Sequence, residues 1–105
     1  MNEEPQSLIS PDVLARYAAD AALEVEGVSG LAESALHRAK GVSVGGPEGS
    51  PTVEIQIALE WGRSAAEAAG EVQRRVAEYL TRMARVTPAA IEVVVSSVGP
   101  PPAKR

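Results

Sequence analysis

An alternating row of apolar residues near the middle of the chain constrains its fold more than any other feature. Every odd position from 53 to 61 is apolar and every even one is polar or small, in the run Val53-Glu54-Ile55-Gln56-Ile57-Ala58-Leu59-Glu60-Trp61. Successive side chains of a β-strand point to opposite faces, so this row predicts a strand with one buried face. The buried face needs an apolar layer against it, and an amphipathic helix is predicted on each side of the strand in the sequence.

Both helices carry recognisable start signals. Ser10 is followed by Pro11 and Asp12, which combines an N-cap, a first-position proline and an acidic first turn. The second helix begins with a capping box formed by Ser64 and Glu67. At the end of the first helix, Gly27 is predicted to be the left-handed residue of a Schellman cap, in which residues 23 and 28 touch.

The remaining segments complete a predicted order of short β, α, short helical piece, β, β, α and β. Residues 7–9 are a short edge strand, 31–40 a weak helix, and 41–44 the first strand of a hairpin with the central strand. The β-branched run 91–98 is predicted to be an interior strand because both of its faces are partly apolar. We therefore predict an α+β two-layer sandwich, with two main helices on one face of a three- or four-stranded mixed sheet.

The domain is predicted to span residues 7–98. Residues 1–6 are expected to be disordered, and residues 99–105 form a proline-rich disordered tail. The acidic start leads into no apolar run, so neither a signal peptide nor a transmembrane helix is expected. These features predict a cytoplasmic protein that does not insert directly into a membrane.

Composition argues against catalysis and against polyanion binding. The chain has no cysteine and one histidine, and its net charge is −4. Hydrolytic and metal chemistry need clustered His, Cys or carboxylate groups, so no catalytic residue, metal site or cofactor is predicted and the protein is not expected to be an enzyme. The negative charge repels nucleic acid and anionic lipid at long range.

One glycine pattern leaves a nucleic-acid function open as an alternative. Gly27-Val28-Ser29-Gly30 is a GxxG between two predicted helices, which is the order of a KH-like module that clamps single-stranded nucleic acid. Glu24 and Glu26 lie directly upstream, however, and would repel phosphate. The cap interpretation also explains Gly27 without a ligand.

Candidate partner-binding residues lie on two predicted elements and one strand end. Trp61, the single tryptophan, ends the apolar row, where a lid over the core is favoured over a ligand platform. The second helix carries a mixed-charge face, and the last strand could pair with another strand if it lies at an edge. The candidate partner surface comprises Trp61, Arg74, Glu78, Arg82 and Val94.

Several short motifs occur in an order that is typical of one known family. They are Ile9-Ser10-Pro11-Asp12-Val13-Leu14 before and in the first helix, Val25-Glu26-Gly27-Val28 at its end, Gly41-Val42 at the hairpin and Glu60-Trp61-Gly62 after the central strand. Together with the valine-rich last strand, they resemble the alkaline shock protein family of Gram-positive envelope stress response proteins. The resemblance runs from about Leu8 to Val98. Departures include Arg85-Val86-Thr87, where the family commonly has a glycine.

The resemblance implies a non-catalytic cytoplasmic protein of the envelope stress response and of envelope homeostasis. Such a protein acts as an adaptor or self-assembling scaffold near the membrane, through a partner that is itself a small membrane-anchored protein. Homo-oligomers are a further expectation from the resemblance. The preference for alanine, and for arginine over lysine, is typical of a GC-rich, actinobacterial source.

Overall fold

The computed structural model describes residues 10–31, 41–47 and 49–99. Its elements in chain order are α1 (Pro11–Leu23), β1 (Val28–Leu31), β2 (Val42–Gly45), β3 (Thr52–Glu60), α2 (Ala65–Ala84) and β4 (Ala90–Gly99). Both helices pack against a four-stranded sheet, which confirms the predicted α+β two-layer architecture. The predicted edge strand at 7–9, residues 1–6, residues 32–40 of the predicted weak helix and residues 100–105 of the predicted tail lie outside the described residues. Gly99, predicted to begin the tail, is instead the last residue of β4, and Leu31, predicted to begin the weak helix, ends β1.

β3 is the central strand of a mixed sheet. β2 runs antiparallel beside its first half, Thr52–Ile55, and β1 runs antiparallel beside its second half, Ile57–Leu59, so both share one side of β3. β4 lies on the other side, parallel to β3 along its whole length. In the described part of the chain β4 is therefore an edge strand. The interior position predicted for it is wrong among these residues, because β4 pairs with β3 alone. Its second apolar face is also not covered, since Val94 is exposed.

The alternating row of β3 forms the centre of the core, as predicted. The four side chains Val53, Ile55, Ile57 and Leu59 are each at most 1% exposed, and full burial of such a side chain stabilises a fold by about 1.5–3 kcal/mol. α1 covers the side of the sheet that holds β1 and β2, and α2 covers the side that holds β4. The rest of the buried core consists of Leu14, Ala15, Ala18, Ala21, Ala22, Val25, Val28, Val42, Ala68, Val72, Val76, Leu80, Ala84 and Val86.

The row ends before Trp61, whose side chain is 65% exposed. β3 stops at Glu60, and the chain turns through Trp61 and Gly62, where φ is +86°. The tryptophan therefore leaves the strand before it can continue the inward row. The predicted lid over the core is wrong, and Trp61 is instead a surface residue.

The connection from α1 to β1 also differs from the prediction. α1 ends at Leu23 with Glu24 as its C-cap, and Leu23 is exposed. Gly27 has the predicted positive φ, +93°, but it lies three residues beyond that cap and directs the chain into β1. Val28 belongs to β1, so the proposed Schellman pairing of residues 23 and 28 is wrong. Val25 lies between the end of α1 and Gly27, and its side chain is buried. The connection is therefore longer than the tight cap that was predicted.

The two ends of α2 are capped in different ways. At its start the Ser64 hydroxyl accepts a hydrogen bond from the Glu67 N–H at 3.2 Å, which confirms the predicted cap. At its end Arg85 adopts a left-handed conformation with φ of 57°. This reversal buries Val86, whose N–H donates to the Leu80 carbonyl at 3.3 Å.

Candidate functional site

The five predicted partner residues lie on two separate surfaces. Val94 is exposed on β4, and Trp61 follows β3 at the end of the sheet, where its N–H bonds to the last residue of β4. Arg74, Glu78 and Arg82 are exposed on α2. We call the first the edge surface and define it by the free side of β4 together with Trp61, Val94 and Val98. The second, the helix face, comprises Arg74, Glu78 and Arg82 of α2.

The edge surface contains three exposed apolar side chains, two on β4 and one just after β3. Trp61, Val94 and Val98 are three of the five large apolar side chains that are exposed in the described residues. The Trp61 N–H donates to the Gly99 carbonyl at 2.7 Å, and this bond holds the tryptophan backbone against the end of β4. Large aromatic residues that remain exposed beside an unpaired strand edge are typical of interaction surfaces.

A bulge in β4 explains why the sequence analysis did not identify Val98. The register with β3 shifts after the pair Ile57 and Val95, which leaves Ser96 as an extra residue. The Ser96 hydroxyl donates to the Ile57 carbonyl at 3.3 Å. The alternation of side chains is reset there, so Val98 aligns with the inward Leu59 and not with the outer row in which it was predicted. Bulges commonly occur at sheet edges, where they redirect side chains.

The outer face of the sheet, on the side away from the helices, carries two adjacent carboxylates beside this edge. Glu54 of β3 and Glu92 of β4 are register partners, and both side chains are exposed. Neighbouring strands are about 4.8 Å apart, so the two like charges lie close together. Within the described part of the chain neither forms an ion pair.

One of the three residues of the helix face, Arg74, is engaged in an ion pair within the protein. Arg74 pairs with Glu71, and the neighbouring Arg75 bridges Glu71 at 3.3 Å and Glu24 of the α1 C-cap at 3.4 Å. Glu78 lies four residues from both Arg74 and Arg82, but it forms an ion pair with neither of these described residues. The residues of the shallow cleft between the helices are Ala21, Glu24, Arg75, Glu78, Tyr79 and Arg82.

A second arginine fastens the α1–β1 connection to the end of β3. Arg63 lies 3.3 Å from Glu26 and 3.9 Å from Glu60. Its side chain passes so close to Gly27 that an added Cβ there would lie 2.8 Å from its Cγ and Cδ atoms. The sequence analysis missed this contact because Arg63 and Glu26 are 37 residues apart and no local pattern joins them.

The described residues contain no group of three or more His, Cys, Asp or Glu side chains that could hold a metal ion. Among the same residues, no helix has the length and apolar character needed to cross a membrane. The two surfaces offer an apolar strand edge, a pair of carboxylates and a network of paired charges.

Comparison with known protein families matches residues 1–100 to the alkaline shock protein 23 family, described as having a cell envelope-related function. The chain belongs to this family. The match confirms the resemblance seen in the sequence. No curated protein matched the chain in a sequence comparison.

The fold of this family member is similar to that of MamM CTD. One MamM CTD structure has a TM-score of 0.56 and 15% identity, covering 84% of this chain and 98% of that chain. A nickel form and a copper form each have a TM-score of 0.54 and 15% identity over 82% of this chain, covering 96% and 95% of theirs. At this identity the similarity shows the fold alone.

The structure removes the geometry on which the KH-like alternative depended. Val28, Ser29 and Gly30 lie in β1 and pair with β3, whereas a GxxG clamp requires a loop between two helices. The backbone N–H and C=O groups of this segment are therefore oriented by its pairing with β3. Gly27 lies directly before β1 and Gly30 lies within it, and these positions favour a structural role for both glycines.

Proposed function

We propose that this protein is a non-catalytic adaptor of the cell envelope, which acts near the membrane by binding another protein or by assembling with copies of itself. The family's cell envelope-related description supports the location. The observation that carries the proposal is that β4 pairs with β3 alone among the described strands, together with the exposure of Trp61, Val94 and Val98.

The edge surface is a stronger candidate for the contact than the helix face. An edge strand presents backbone N–H and C=O groups that can pair with another chain. Tryptophan is also strongly represented among the residues that dominate binding energy at interfaces. By contrast, Arg74 of the helix face is already paired within the protein, so a partner would have to replace an existing contact.

The charge of the protein favours recruitment to the membrane through another protein. The net charge is −4, and the outer face of β3 and β4 carries Glu54 and Glu92, which form no ion pair among the described residues. Both features oppose adhesion to an anionic cytoplasmic leaflet, which attracts basic segments. We therefore assign the membrane contact to a partner, with a small membrane-anchored protein as the proposed class and the cytoplasmic side as the proposed location.

Sedimentation with three kinds of vesicle tests this function. The protein is mixed at physiological salt with native host membrane vesicles, with the same vesicles after protease treatment, and with liposomes made from the extracted lipids. We expect sedimentation with the untreated vesicles only. Sedimentation with protein-free liposomes would contradict the proposal.

Two matched variants then locate the contact surface. Trp61→Ser removes an exposed apolar side chain from the edge surface, and Leu23→Ser removes one from the end of α1. We expect Trp61→Ser to reduce recruitment and Leu23→Ser to leave it unchanged. An equal loss in both variants would show that the edge surface is not the contact.

A further inference from the structure

Two negative charges meet on the outer face of the sheet, and the described strands that carry them contain no positive charge. Glu54 and Glu92 are adjacent in register, and like charges on neighbouring strands destabilise a sheet. Neither β3 nor β4 contains a lysine or arginine. A cation that approaches along the free side of β4 would therefore relieve a repulsion that these two strands leave uncompensated.

The free side of β4 is bounded at both ends. Near its start, the Gln73 side chain of α2 donates to the Ile91 carbonyl at 2.8 Å and occupies that acceptor. Beyond Gly99 the sequence continues with Pro100, which has no N–H to offer a neighbouring strand. The segment left for a new strand is residues 92–98, which begins with Glu92 and includes the exposed Val94 and Val98.

We propose that this segment binds an extended stretch of a partner protein as an added strand, with a lysine or arginine of that strand beside Glu92. The inference rests on the proposed adaptor function and specifies its partner. Strand addition supplies affinity through main-chain hydrogen bonds and specificity through alternate side chains. Because Val94 lies two residues beyond Glu92 on the outer face, the partner strand carries an apolar residue two positions from its basic residue.

A second copy of this chain fits the edge less well than a basic partner strand does. β4 contains no basic residue, so β4 of another copy would bring no cation to Glu92. In a parallel, in-register pairing the two copies of Glu92 would be neighbours. Charge complementarity therefore selects a different chain with a basic and apolar pattern.

Titration of the full chain with three synthetic peptides tests the proposal. The first, the valine–lysine peptide, repeats lysine-threonine-valine-threonine, so that lysine and valine lie two positions apart on one face. The second, the valine–glutamate peptide, has glutamate in place of lysine, and the third is the valine–lysine peptide with alternate backbone nitrogens methylated. Binding is followed by amide chemical shifts. We expect the first peptide to shift amides of residues 92–98, and the other two to bind at least tenfold more weakly because they lack the cation or the backbone donors.

Matched variants test the role of the carboxylate. Glu92→Gln should weaken binding of the valine–lysine peptide by roughly two- to fivefold, the range for one exposed ion pair. Asp20→Asn neutralises an exposed carboxylate on α1, outside both surfaces, and should leave binding unchanged. Equal binding of the valine–lysine and valine–glutamate peptides, or shifts confined to the helices, would overturn the proposal.

Analytical ultracentrifugation tests whether a second copy of this chain binds at the edge instead. A dimer that Glu92→Lys dissociates, and that excludes the valine–lysine peptide, would assign this edge to self-association and overturn the basic partner strand. The proposed function fails separately, through the vesicle experiment. Recruitment to native vesicles that depends on Trp61, without any binding of the valine–lysine peptide, would preserve the adaptor and reject this mode of binding.

Discussion

The side chain of Arg63 packs directly against the backbone of Gly27, leaving no room for a Cβ atom there. The gap to Cγ and Cδ would be 2.8 Å, and φ of Gly27 is +93°. Arg63 also pairs with Glu26, the residue before this glycine. The contact fastens the turn between α1 and β1 to the end of β3.

Gly27→Ala is expected to destabilise the protein by about 1–2 kcal/mol, because a left-handed conformation is unfavourable with a Cβ and Arg63 must move. Urea denaturation gives the free energy of unfolding. The matched control is Gly70→Ala in the exposed interior of α2, where nothing lies near an added Cβ. It should stabilise the protein by about 0.5–1 kcal/mol. A neutral Gly27→Ala would refute the close contact.

Arg85→Gly is expected to stabilise the protein by roughly 0.5–1 kcal/mol. Arg85 has a φ of 57°, and glycine adopts this region without the steric cost that a side chain imposes. Arg82→Gly, three residues earlier within α2, should have the opposite sign and cost about 1 kcal/mol. Thermal melts of the two variants should therefore shift in opposite directions, and a shared decrease would argue against strain at Arg85.

Ile57→Asp is expected to prevent folding. Ile57 is fully buried at the centre of β3, and a buried unpaired carboxylate costs several kcal/mol. Gln56→Asp places the same group on the outer face and should leave a cooperative thermal transition measured by circular dichroism. A cooperative melt of Ile57→Asp near that of the wild type would contradict the assignment of the two faces.

Gln73→Ala is expected to cost about 1 kcal/mol, because it removes the hydrogen bond between α2 and the Ile91 carbonyl. The loss should appear in urea denaturation and as faster amide hydrogen exchange at the start of β4. Glu78→Ala, also exposed on α2, should change stability by less than about 0.5 kcal/mol. Unchanged exchange in β4 would show that Gln73 does not tie the helix to the edge strand.

The elements predicted correctly are those whose information is contained in a few neighbouring residues. The alternation Val53–Leu59 identified the central strand and its buried face, because side-chain direction along a strand depends only on position. The Ser64 cap was equally local. Glycine-rich turn chemistry correctly placed a hairpin before β3. Belonging to the alkaline shock protein 23 family was also recognisable from the order of short motifs.

The misassigned features depend on where the chain goes after each local signal. Trp61 continues the apolar period, yet the strand ends before it and leaves it exposed. Gly27 is left-handed as expected, but buried Val25 delays the turn and places Val28 in a strand that the cap interpretation concealed. A sequence shows a hydrophobic period or a favoured backbone conformation. It does not show the residue at which packing ends that pattern.

The sequence by itself determined the layers of this protein, through β3 and the amphipathic stripes of its two helices. Tertiary structure alone decided the candidate site. Whether β4 lies inside or at the edge depends on which strands pair with β3, and the bulge at Ser96 depends on how two strands far apart in the chain align. Such choices arise from contacts between distant segments, and local periodicity contains no information about them.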